Sequence, residues 1–390
     1  MLIHPERWQS LPERFREERP RRLLALDGGG IRGLIALGIL ESLERVVSER
    51  TGLRLCDYFD YIAGTSTGSI IAAGLARGMQ VAEIIEFYKS CGKQMFEHAV
   101  LVQRLKNFYT ADPLKQKLQV FLGADTTLAS KSLRCLLLLV TKNATTDSPW
   151  PISNNPDARY NDPTRQDCNL QIPLWQLVRA STAAPVYFPP EILQWDPHDK
   201  SKTFVFVDGG VTPHNNPAFL LYRMATNPAY RLNWKTGEKN LLLVSVGTGA
   251  AESMGATASA PNKNIVSTIT GLSGALMYAI QVEQDINCRA IGRCTYGSRL
   301  DREMHDMIPR EAGSDITSAV IPLSTDLGRH FLYARYNADL SAQGLKTAGF
   351  HDVVPSNIQK MDGVENMDKL LQIGRKAGEV VDPLHLGPFI

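Results

Sequence analysis

A serine flanked by glycines is the residue in this sequence best suited to nucleophilic chemistry. Ser66 lies in Gly64-Thr65-Ser66-Thr67-Gly68, after an apolar, β-prone stretch and before a run of small residues typical of a helix. This is the G-x-S-x-G pattern of a nucleophile elbow in its required setting of strand, tight turn and helix. Gly64 and Gly68 fit that turn because a Cβ at either position would collide with the flanking strand or helix. The pattern predicts a serine nucleophile, and a plain turn serine is the alternative.

A second glycine-rich segment, GGGIRG at 28–33, follows a predicted buried strand and precedes a predicted helix. Its letters match G-x-G-x-x-G, which favours a dinucleotide site. The acidic residue expected at the end of the second strand is missing, because that strand ends in the serine motif. Arg32 is also unusual in a loop that approaches a pyrophosphate through its backbone. The amides of Gly28, Gly29 and Gly30 could instead form an oxyanion hole at a helix N-terminus. A plain tight turn is the third interpretation.

A third motif, Asp208-Gly209-Gly210, follows a predicted strand. The C-terminal ends of strands border the ligand crevice of an α/β sheet, so we expect the three motifs at one edge. A serine nucleophile needs a base, and Asp208 could act directly on Ser66 if burial in an apolar site raised its basicity. His214, six residues after Asp208, is an alternative base or a plain loop residue.

The elements that must position these motifs follow from the apolar pattern. Apolar strands alternate with segments of helical spacing, which favours a mostly parallel sheet covered by helices on both faces. The predicted strands are 21–26, 133–141, 203–207, 241–246, 318–323 and 331–336, and the predicted helices are 34–49, 81–96, 173–184, 272–292 and 366–380. A helical insertion is expected at 97–130, with a helix start at Asp112-Pro113.

The simplest division of the chain is an N-terminal arm at 1–20, a catalytic domain at 21–250 and a C-terminal region at 251–390, which is expected to complete the fold and is a candidate regulatory region. Residues 143–169 are rich in Asn, Asp, Pro and Ser and are expected to form a long surface loop. Residues 250–264 are small and polar. Both segments are candidate lids over the site.

Composition excludes several classes of protein. The net charge of +2 over 390 residues gives no strong bias toward nucleic acid. The first 22 residues lack the apolar core of a signal peptide, and the longest apolar run, 136–140, is far too short to span a bilayer. The six cysteines show no C-x-x-C spacing, which indicates reduced thiols and a cytoplasmic protein without a zinc site.

Taken in order, DGGGIRG at 27–33, GTSTG at 64–68 and DGG at 208–210 resemble the patatin-like phospholipase family. ASTAAPVYFPP at 180–190 and NNP at 215–217 are similar to that family's segments around its catalytic aspartate. The resemblance covers roughly residues 20–250.

The resemblance implies a three-layer αβα sandwich with a mostly parallel central sheet and a C-terminal extension. It implies a dyad of Ser66 and Asp208, and an oxyanion hole from the amides of Gly28, Gly29 and Gly30, with Arg32 helping to hold their loop. The implied reaction is hydrolysis of acyl esters of membrane phospholipids through an acyl-serine, with no metal and no cofactor.

The C-terminal third resembles bacterial patatin-type phospholipases that act in antiviral defence and are switched on by a cyclic dinucleotide. The segments that carry this resemblance are Gln284-Asp285-Ile286-Asn287 and Tyr333-Ala334-Arg335-Tyr336-Asn337. Arg335, Tyr333 and Tyr336 are therefore candidate ligand residues, since a guanidinium can pair with phosphate and the rings can stack on bases. The alternative is that these segments are packing elements.

We expect a cytoplasmic enzyme that acts at the inner membrane surface. Constant phospholipase activity in the cytoplasm would be hazardous, so gating by a mobile loop, a small ligand or homo-oligomerisation is expected. Two other functions remain open from the sequence alone: a nucleotide-binding oxidoreductase that uses the G-x-G-x-x-G loop, and a non-catalytic protein that senses a small ligand.

Overall fold

The structure is a computed structural model. It describes residues 17–96, 113–185, 188–250, 265–300 and 328–390, together with Phe15 and Met307. The predicted strand at 318–323, most of the predicted lid at 250–264, most of the N-terminal arm and residues 97–112 lie outside these described residues.

Strands and helices alternate through the first half of the chain, as the apolar pattern predicts. The strands are β1 (Arg21–Leu26), β2 (Tyr61–Thr65), β3 (Leu136–Asn143), β4 (Ser148–Ser153), β5 (Glu191–Asp196), β6 (Asp199–Asp208), β7 (Leu241–Val246), β8 (Arg293–Tyr296) and β9 (Leu332–Tyr336). The helices are α1 (Gly33–Thr51), α2 (Leu55–Tyr58), α3 (Thr67–Ala76), α4 (Val81–Phe96), α5 (Pro113–Leu122), α6 (Leu174–Ser181), α7 (Ala218–Thr226), α8 (Ile265–Ile291), α9 (Ala342–Thr347), α10 (Pro355–Ile358) and α11 (Met367–Gly378).

Within the described residues, the nine strands form one sheet in the order β5-β6-β3-β2-β1-β7-β9-β8, with β4 paired to β3. The neighbouring strands β3, β2, β1, β7, β9 and β8 all run parallel to one another. Strands β4 and β6 both pair with β3 and run antiparallel to it. Every residue of β2, β7 and β9 is buried. Successive side chains of a strand face opposite sides of the sheet, so helices cover both faces, as expected.

Two features differ from the sequence-based expectations. The segment 143–169 is not a plain surface loop, because Ser148–Ser153 pairs with β3 and Asn154, Asn155 and Asn161 are buried. The side chain of Asn161 donates to the carbonyl oxygens of Ser153 and Asn155, and that of Asn155 donates to the Tyr230 carbonyl, so the buried amides of this polar stretch are hydrogen-bonded within it and to its neighbours. Strands β5 and β8 were also not predicted, since neither is a continuous apolar run.

The C-terminal region is built into the same fold. Strands β8 and β9 extend the sheet beyond β7, and α11 packs along α1. That helix pair is close, because a Cβ on Gly374 would lie 2.3 Å from the carbonyl oxygen of Ile35. Among the described residues, no helix is long and apolar enough to cross a membrane.

Candidate active site

Ser66 lies between β2 and α3 in a backbone conformation that is rare for a residue with a side chain. Its φ is 54° and its ψ is −125°. Such geometry costs roughly 1–3 kcal/mol and persists only where the surrounding structure enforces it. The residue is 8% exposed, so the strained turn holds a mostly buried hydroxyl at the end of the strand.

The two elbow glycines are required by close approach of the backbone. A Cβ on Gly64 would lie 2.1 Å from the carbonyl oxygen of Gly68, and a Cβ on Gly68 would lie 2.4 Å from that of Leu26. Any larger residue would push α3 away from β1 and β2. The glycines of the motif therefore set the position of Ser66.

Asp208 lies next to Ser66 at the end of β6. The Ser66 hydroxyl donates to Asp208 Oδ2 at 2.5 Å, and the Gly210 backbone N–H donates to Oδ1 at 2.6 Å. Each carboxylate oxygen thus has its own donor, and the oxygen that faces Ser66 is fixed. The structure brings together the two residues that the sequence identifies as nucleophile and base.

The environment of Asp208 makes its carboxylate more basic than usual. Burial raises its pKa to about 6, although the hydrogen bonds from Ser66 and Gly210 and the charge of Arg179 act in the opposite direction. A carboxylate with this pKa is ionised at neutral pH and remains a stronger proton acceptor than an exposed aspartate.

Asp208 reaches the same edge as the elbow for a different reason from the one expected. Strand β6 runs antiparallel to β3. The last three residues of β6 pair with the last three of β3, and Asp208 lies opposite Thr141. A strand that enters from beyond the C-terminal end of β3 must itself end beside that edge. The predicted location is thus correct, although β6 does not continue the parallel set.

The three glycine amides differ in their hydrogen bonds. The Gly28 N–H donates to the carbonyl oxygen of Asn215 at 3.1 Å, and the Gly29 N–H donates to the side-chain oxygen of Thr67 at 3.2 Å. Among the described residues the Gly30 N–H has no acceptor. The acceptor of Gly28 is a fixed backbone carbonyl, whereas that of Gly29 is the hydroxyl of Thr67, which can rotate. The candidate donors to an oxyanion are therefore Gly30 and, once the Thr67 hydroxyl turns away, Gly29. The Thr67 N–H, one residue after the nucleophile, occupies the other position typical of such donors.

Arg32 holds the glycine loop rather than pointing at Ser66. Its side-chain Nε lies 3.4 Å from the carbonyl oxygen of Gly29, and its backbone N–H donates to the same oxygen at 3.2 Å. Burial lowers the pKa of Arg32 to about 10, while Asp27 opposes this shift, so the guanidinium is charged at neutral pH. Arg32 thus contacts the backbone of the glycine loop through both its side chain and its own amide.

His214 is near the elbow but is not hydrogen-bonded to the Ser66 or Asp208 side chain. Its carbonyl oxygen accepts from the Thr65 hydroxyl at 2.7 Å, and its ring Nδ1 has no partner among the described residues. Burial, assisted by the charge of Arg223, lowers its pKa to about 4. The imidazole is therefore neutral at the pH values where Asp208 is ionised.

The candidate ligand residues of β9 have structural surroundings. Tyr333, Arg335 and Tyr336 are all buried, and Arg335 forms a bidentate pair with Asp27. They would have to leave these positions to contact a nucleotide, so the ligand assignment at these three residues gains no support from the geometry. The sequence offered Arg335 as a residue that could bind a nucleotide phosphate, because a sequence does not reveal which residue of the protein a strand side chain contacts.

Two residues that support the site escaped the sequence analysis. The Ser181 hydroxyl, at the end of α6, accepts from the Ser66 backbone N–H at 2.9 Å and donates to the Val140 carbonyl at 2.7 Å. Thr248, after β7, donates to the Gly28 carbonyl at 2.9 Å. Ser181 is 115 positions from Ser66 and Thr248 is 220 positions from Gly28, and the only signal in the sequence was the ASTAAP segment around Ser181.

The arrangement suits acyl transfer. A hydroxyl that donates to a buried carboxylate, beside backbone amides at a helix N-terminus, supplies a nucleophile, a base and an oxyanion site. No group of His, Cys, Asp and Glu in the described ranges could hold a metal ion.

Comparison with known proteins agrees with this geometry. The family model for patatin-like phospholipase matches residues 24–222, about half of the chain and all three motifs. The chain belongs to the patatin-like phospholipase family. It is thus a phospholipase by class, and the nucleotide-binding oxidoreductase suggested by the glycine loop is set aside.

Individual relatives within the patatin-like family extend the match beyond the motifs. The chain is 28% identical to a cGAMP-activated phospholipase of Escherichia coli (strain TW11681), over 77% of this chain and 84% of that protein. It is also 28% identical to a cGAMP-activated phospholipase of Vibrio cholerae serotype O1, over 76% and 84%. Patatin-17 of Solanum cardiophyllum is 31% identical over 58% of this chain and 60% of its own length.

Proposed function

We propose that this patatin-like phospholipase hydrolyses acyl esters of membrane phospholipids with Ser66 as nucleophile and Asp208 as its base. The observation that carries the proposal is the 2.5 Å hydrogen bond from the Ser66 hydroxyl to the buried Asp208 carboxylate. In the first step Asp208 takes the hydroxyl proton as the Ser66 oxygen bonds to the ester carbonyl carbon. The negative charge then develops on the carbonyl oxygen.

Collapse of that tetrahedral intermediate releases the alcohol, which takes the proton from Asp208, and leaves an acyl group on Ser66. Water then attacks the acyl-serine with Asp208 again as the base, which releases the fatty acid. The amides of Gly29 and Gly30 stabilise the oxyanion in both steps. No metal or organic cofactor enters this mechanism.

We also propose that a cyclic dinucleotide activates the enzyme. The support is the similarity to two phospholipases named as cGAMP-activated, which spans more than three quarters of this chain and so includes part of the C-terminal region. Activation would occur in the cytoplasm at the inner membrane surface, and homo-oligomerisation is one route by which a ligand could switch the site.

The test is hydrolysis of phosphatidylethanolamine–phosphatidylglycerol vesicles by the wild type, Ser66→Ala and Ser48→Ala, each with and without a panel of cyclic dinucleotides that includes cGAMP. Ser48 is an exposed serine of α1 and serves as the matched control. We expect fatty-acid release by the wild type and Ser48→Ala, increased by one member of the panel, and none by Ser66→Ala. Release by Ser66→Ala would refute the nucleophile, whereas full activity without any nucleotide would refute only the activation.

A further inference from the structure

The glycine loop is joined to the C-terminal region by a buried ion pair. Asp27 follows β1 and opens the loop, and it accepts from Arg335 of β9 through both oxygens, at 2.8 and 2.5 Å. Asp27 is fully buried and Arg335 is 3% exposed. The two residues are 308 positions apart in the chain.

The register of the sheet explains how Arg335 reaches the loop. Arg335 lies beside Ser245 of β7, and Ser245 lies beside Ala25 of β1. The guanidinium crosses β7, donates to the Ser245 hydroxyl at 2.7 Å and meets Asp27 just beyond the end of β1. A shorter side chain at position 335 would not span two strands.

A second contact from the C-terminal region holds the other end of the loop. The Ile31 N–H donates to the carbonyl oxygen of Met361 at 2.8 Å. A Cβ on Gly30 would lie 2.2 Å from the same oxygen, and Gly30 has a φ of 62°. Gly29 and Gly30 therefore lie between two attachment points, Asp27 and Ile31, that are both fixed by residues after position 330.

These contacts have a direct consequence for the proposed reaction. Oxyanion donors act only when they point at the site where charge develops, and a shift of a fraction of an ångström weakens them. Arg335 also neutralises a carboxylate at the start of the loop, which would otherwise oppose a nearby oxyanion. Without its bidentate partner, the fully buried Asp27 would have to take up a proton or turn toward another cation such as Arg32, and either change would shift the loop that follows it.

We infer that Arg335 is a positioning residue for the oxyanion loop and acts on the reaction through Asp27. This inference rests on the proposed acyl-transfer function, because it assigns the loop a role in that reaction. It also identifies a physical connection from β9 to the catalytic centre. A change in the position of β9 would then alter catalysis without any movement of Ser66 or Asp208.

The chain offers a matched control at the opposite edge of the sheet. Asp60, just before β2, is also fully buried, accepts from the Arg22 backbone N–H at 2.9 Å and pairs with two cations, Arg19 and, at 3.6 Å, the buried Arg21. Loss of the Arg21 charge should reduce stability, as loss of Arg335 should, yet this pair lies far from the glycine loop.

The experiment compares the full-length variants Arg335→Met, Arg335→Lys and Arg21→Met. For each we would measure kcat and KM on a water-soluble short-chain ester, the inhibition constant of an alkyl trifluoromethyl ketone that mimics the tetrahedral oxyanion, and the midpoint of thermal unfolding. The ketone is the decisive probe, since it reports oxyanion stabilisation separately from ester binding.

Arg335→Met should lower kcat at least about tenfold with KM nearly unchanged, and weaken ketone inhibition by a similar factor. Arg335→Lys keeps the charge but not the two-pronged contact, so we expect partial activity, and it serves alone if Arg335→Met does not fold. Arg21→Met should lower the unfolding temperature and leave kcat and ketone inhibition unchanged.

The inference is overturned if the Arg335 variants keep wild-type kcat and ketone inhibition, or if Arg21→Met reduces both as strongly. Ser66→Ala, assayed in parallel, separates this result from failure of the proposed function. An inactive Ser66→Ala beside fully active Arg335 variants removes only the positioning role, whereas an active Ser66→Ala removes the acyl-transfer mechanism itself.

Discussion

Aspartate replaces histidine as the candidate base because of the environment that its carboxylate occupies. Asp208 is 4% exposed and its pKa is raised to about 6 by burial, while the nearby His214 has a pKa lowered to about 4. Burial thus raises the pKa of the carboxyl and lowers that of the imidazole. As a result Asp208 becomes a better proton acceptor, whereas His214 stays a neutral ring and a weaker base.

The first prediction concerns the pH dependence of activity. Asp208 must be ionised to accept the proton, so kcat/KM should fall about tenfold per pH unit below the Asp208 pKa of about 6 and level off above it. The measurement is ester hydrolysis from pH 5 to 8, with circular dichroism to show that the fold persists. A flat profile over this range, or one that falls as the pH rises above 6, would contradict the assignment of the base.

The second prediction concerns stability. The folded-state pKa of Asp208 lies above the unfolded value of 3.8, so its ionisation costs stability as the pH rises through about 6. Asp208→Asn removes this cost and should raise the free energy of unfolding at pH 8 by up to about 3 kcal/mol, with about half of that gain at pH 5. Urea unfolding at both pH values measures the difference. A variant that is less stable than the wild type at pH 8 would disprove this account.

At the scale of elements, the end of α6 holds the elbow. Ser181 satisfies the backbone N–H of the strained Ser66 and anchors itself to β3 through the Val140 carbonyl. It thereby joins a helix, a strand and the nucleophile through one hydroxyl. Because such a bond connects residues 115 positions apart, a local motif could not have predicted it.

The third prediction follows from this hydroxyl. Ser181→Ala should lower kcat at least about tenfold with little change in KM, because the buried Ser66 N–H loses its acceptor and the turn can relax. Thr182→Val is the control, since within the described part of the chain the Thr182 hydroxyl donates only to carbonyls of its own helix. Steady-state kinetics on a soluble ester tests the pair. Equal kcat values for Ser181→Ala and the wild type would rule out the positioning role.

Sequence patterns identified the elements whose residues are close together in the chain. The elbow, the glycine loop and the Asp208 motif are local, and each follows a strand as predicted. The direction of β6, the occupied Gly28 amide and the partner of Arg335 are not local properties. Each depends on which strand or loop lies alongside in the fold, so the sequence alone could not show which acceptor the Gly28 amide meets or which residue Arg335 pairs with.

At the scale of the whole molecule, the C-terminal region is part of the catalytic fold. It supplies β8 and β9 to the sheet, Arg335 and Met361 to the glycine loop, and α11 to the surface of α1. Since α1 begins directly after the glycine loop, its packing also affects the site. Residues after position 250 thus complete the sheet and support the glycine loop within the same fold.

The fourth prediction tests this attachment. Gly374→Ala places a methyl group 2.3 Å from the Ile35 carbonyl, so α11 must move away from α1. We expect a loss of about 1–3 kcal/mol in the free energy of unfolding, the usual cost of overpacking. Lys376→Ala, at an exposed position of the same helix, should stay within about 0.5 kcal/mol of the wild type. Chemical denaturation measures both, and an unchanged Gly374→Ala would show that the interface is loose.

The central claim is that Ser66 is a nucleophile activated by Asp208, and the most direct measurement is the rate at which a fluorophosphonate labels the enzyme, with the modified peptide located by mass spectrometry. We expect the label on Ser66, a rate at least about a hundredfold lower in Asp208→Asn, and an unchanged rate in His214→Gln. Labelling at another residue would contradict the claim. So would slow labelling of His214→Gln together with labelling of Asp208→Asn at the wild-type rate.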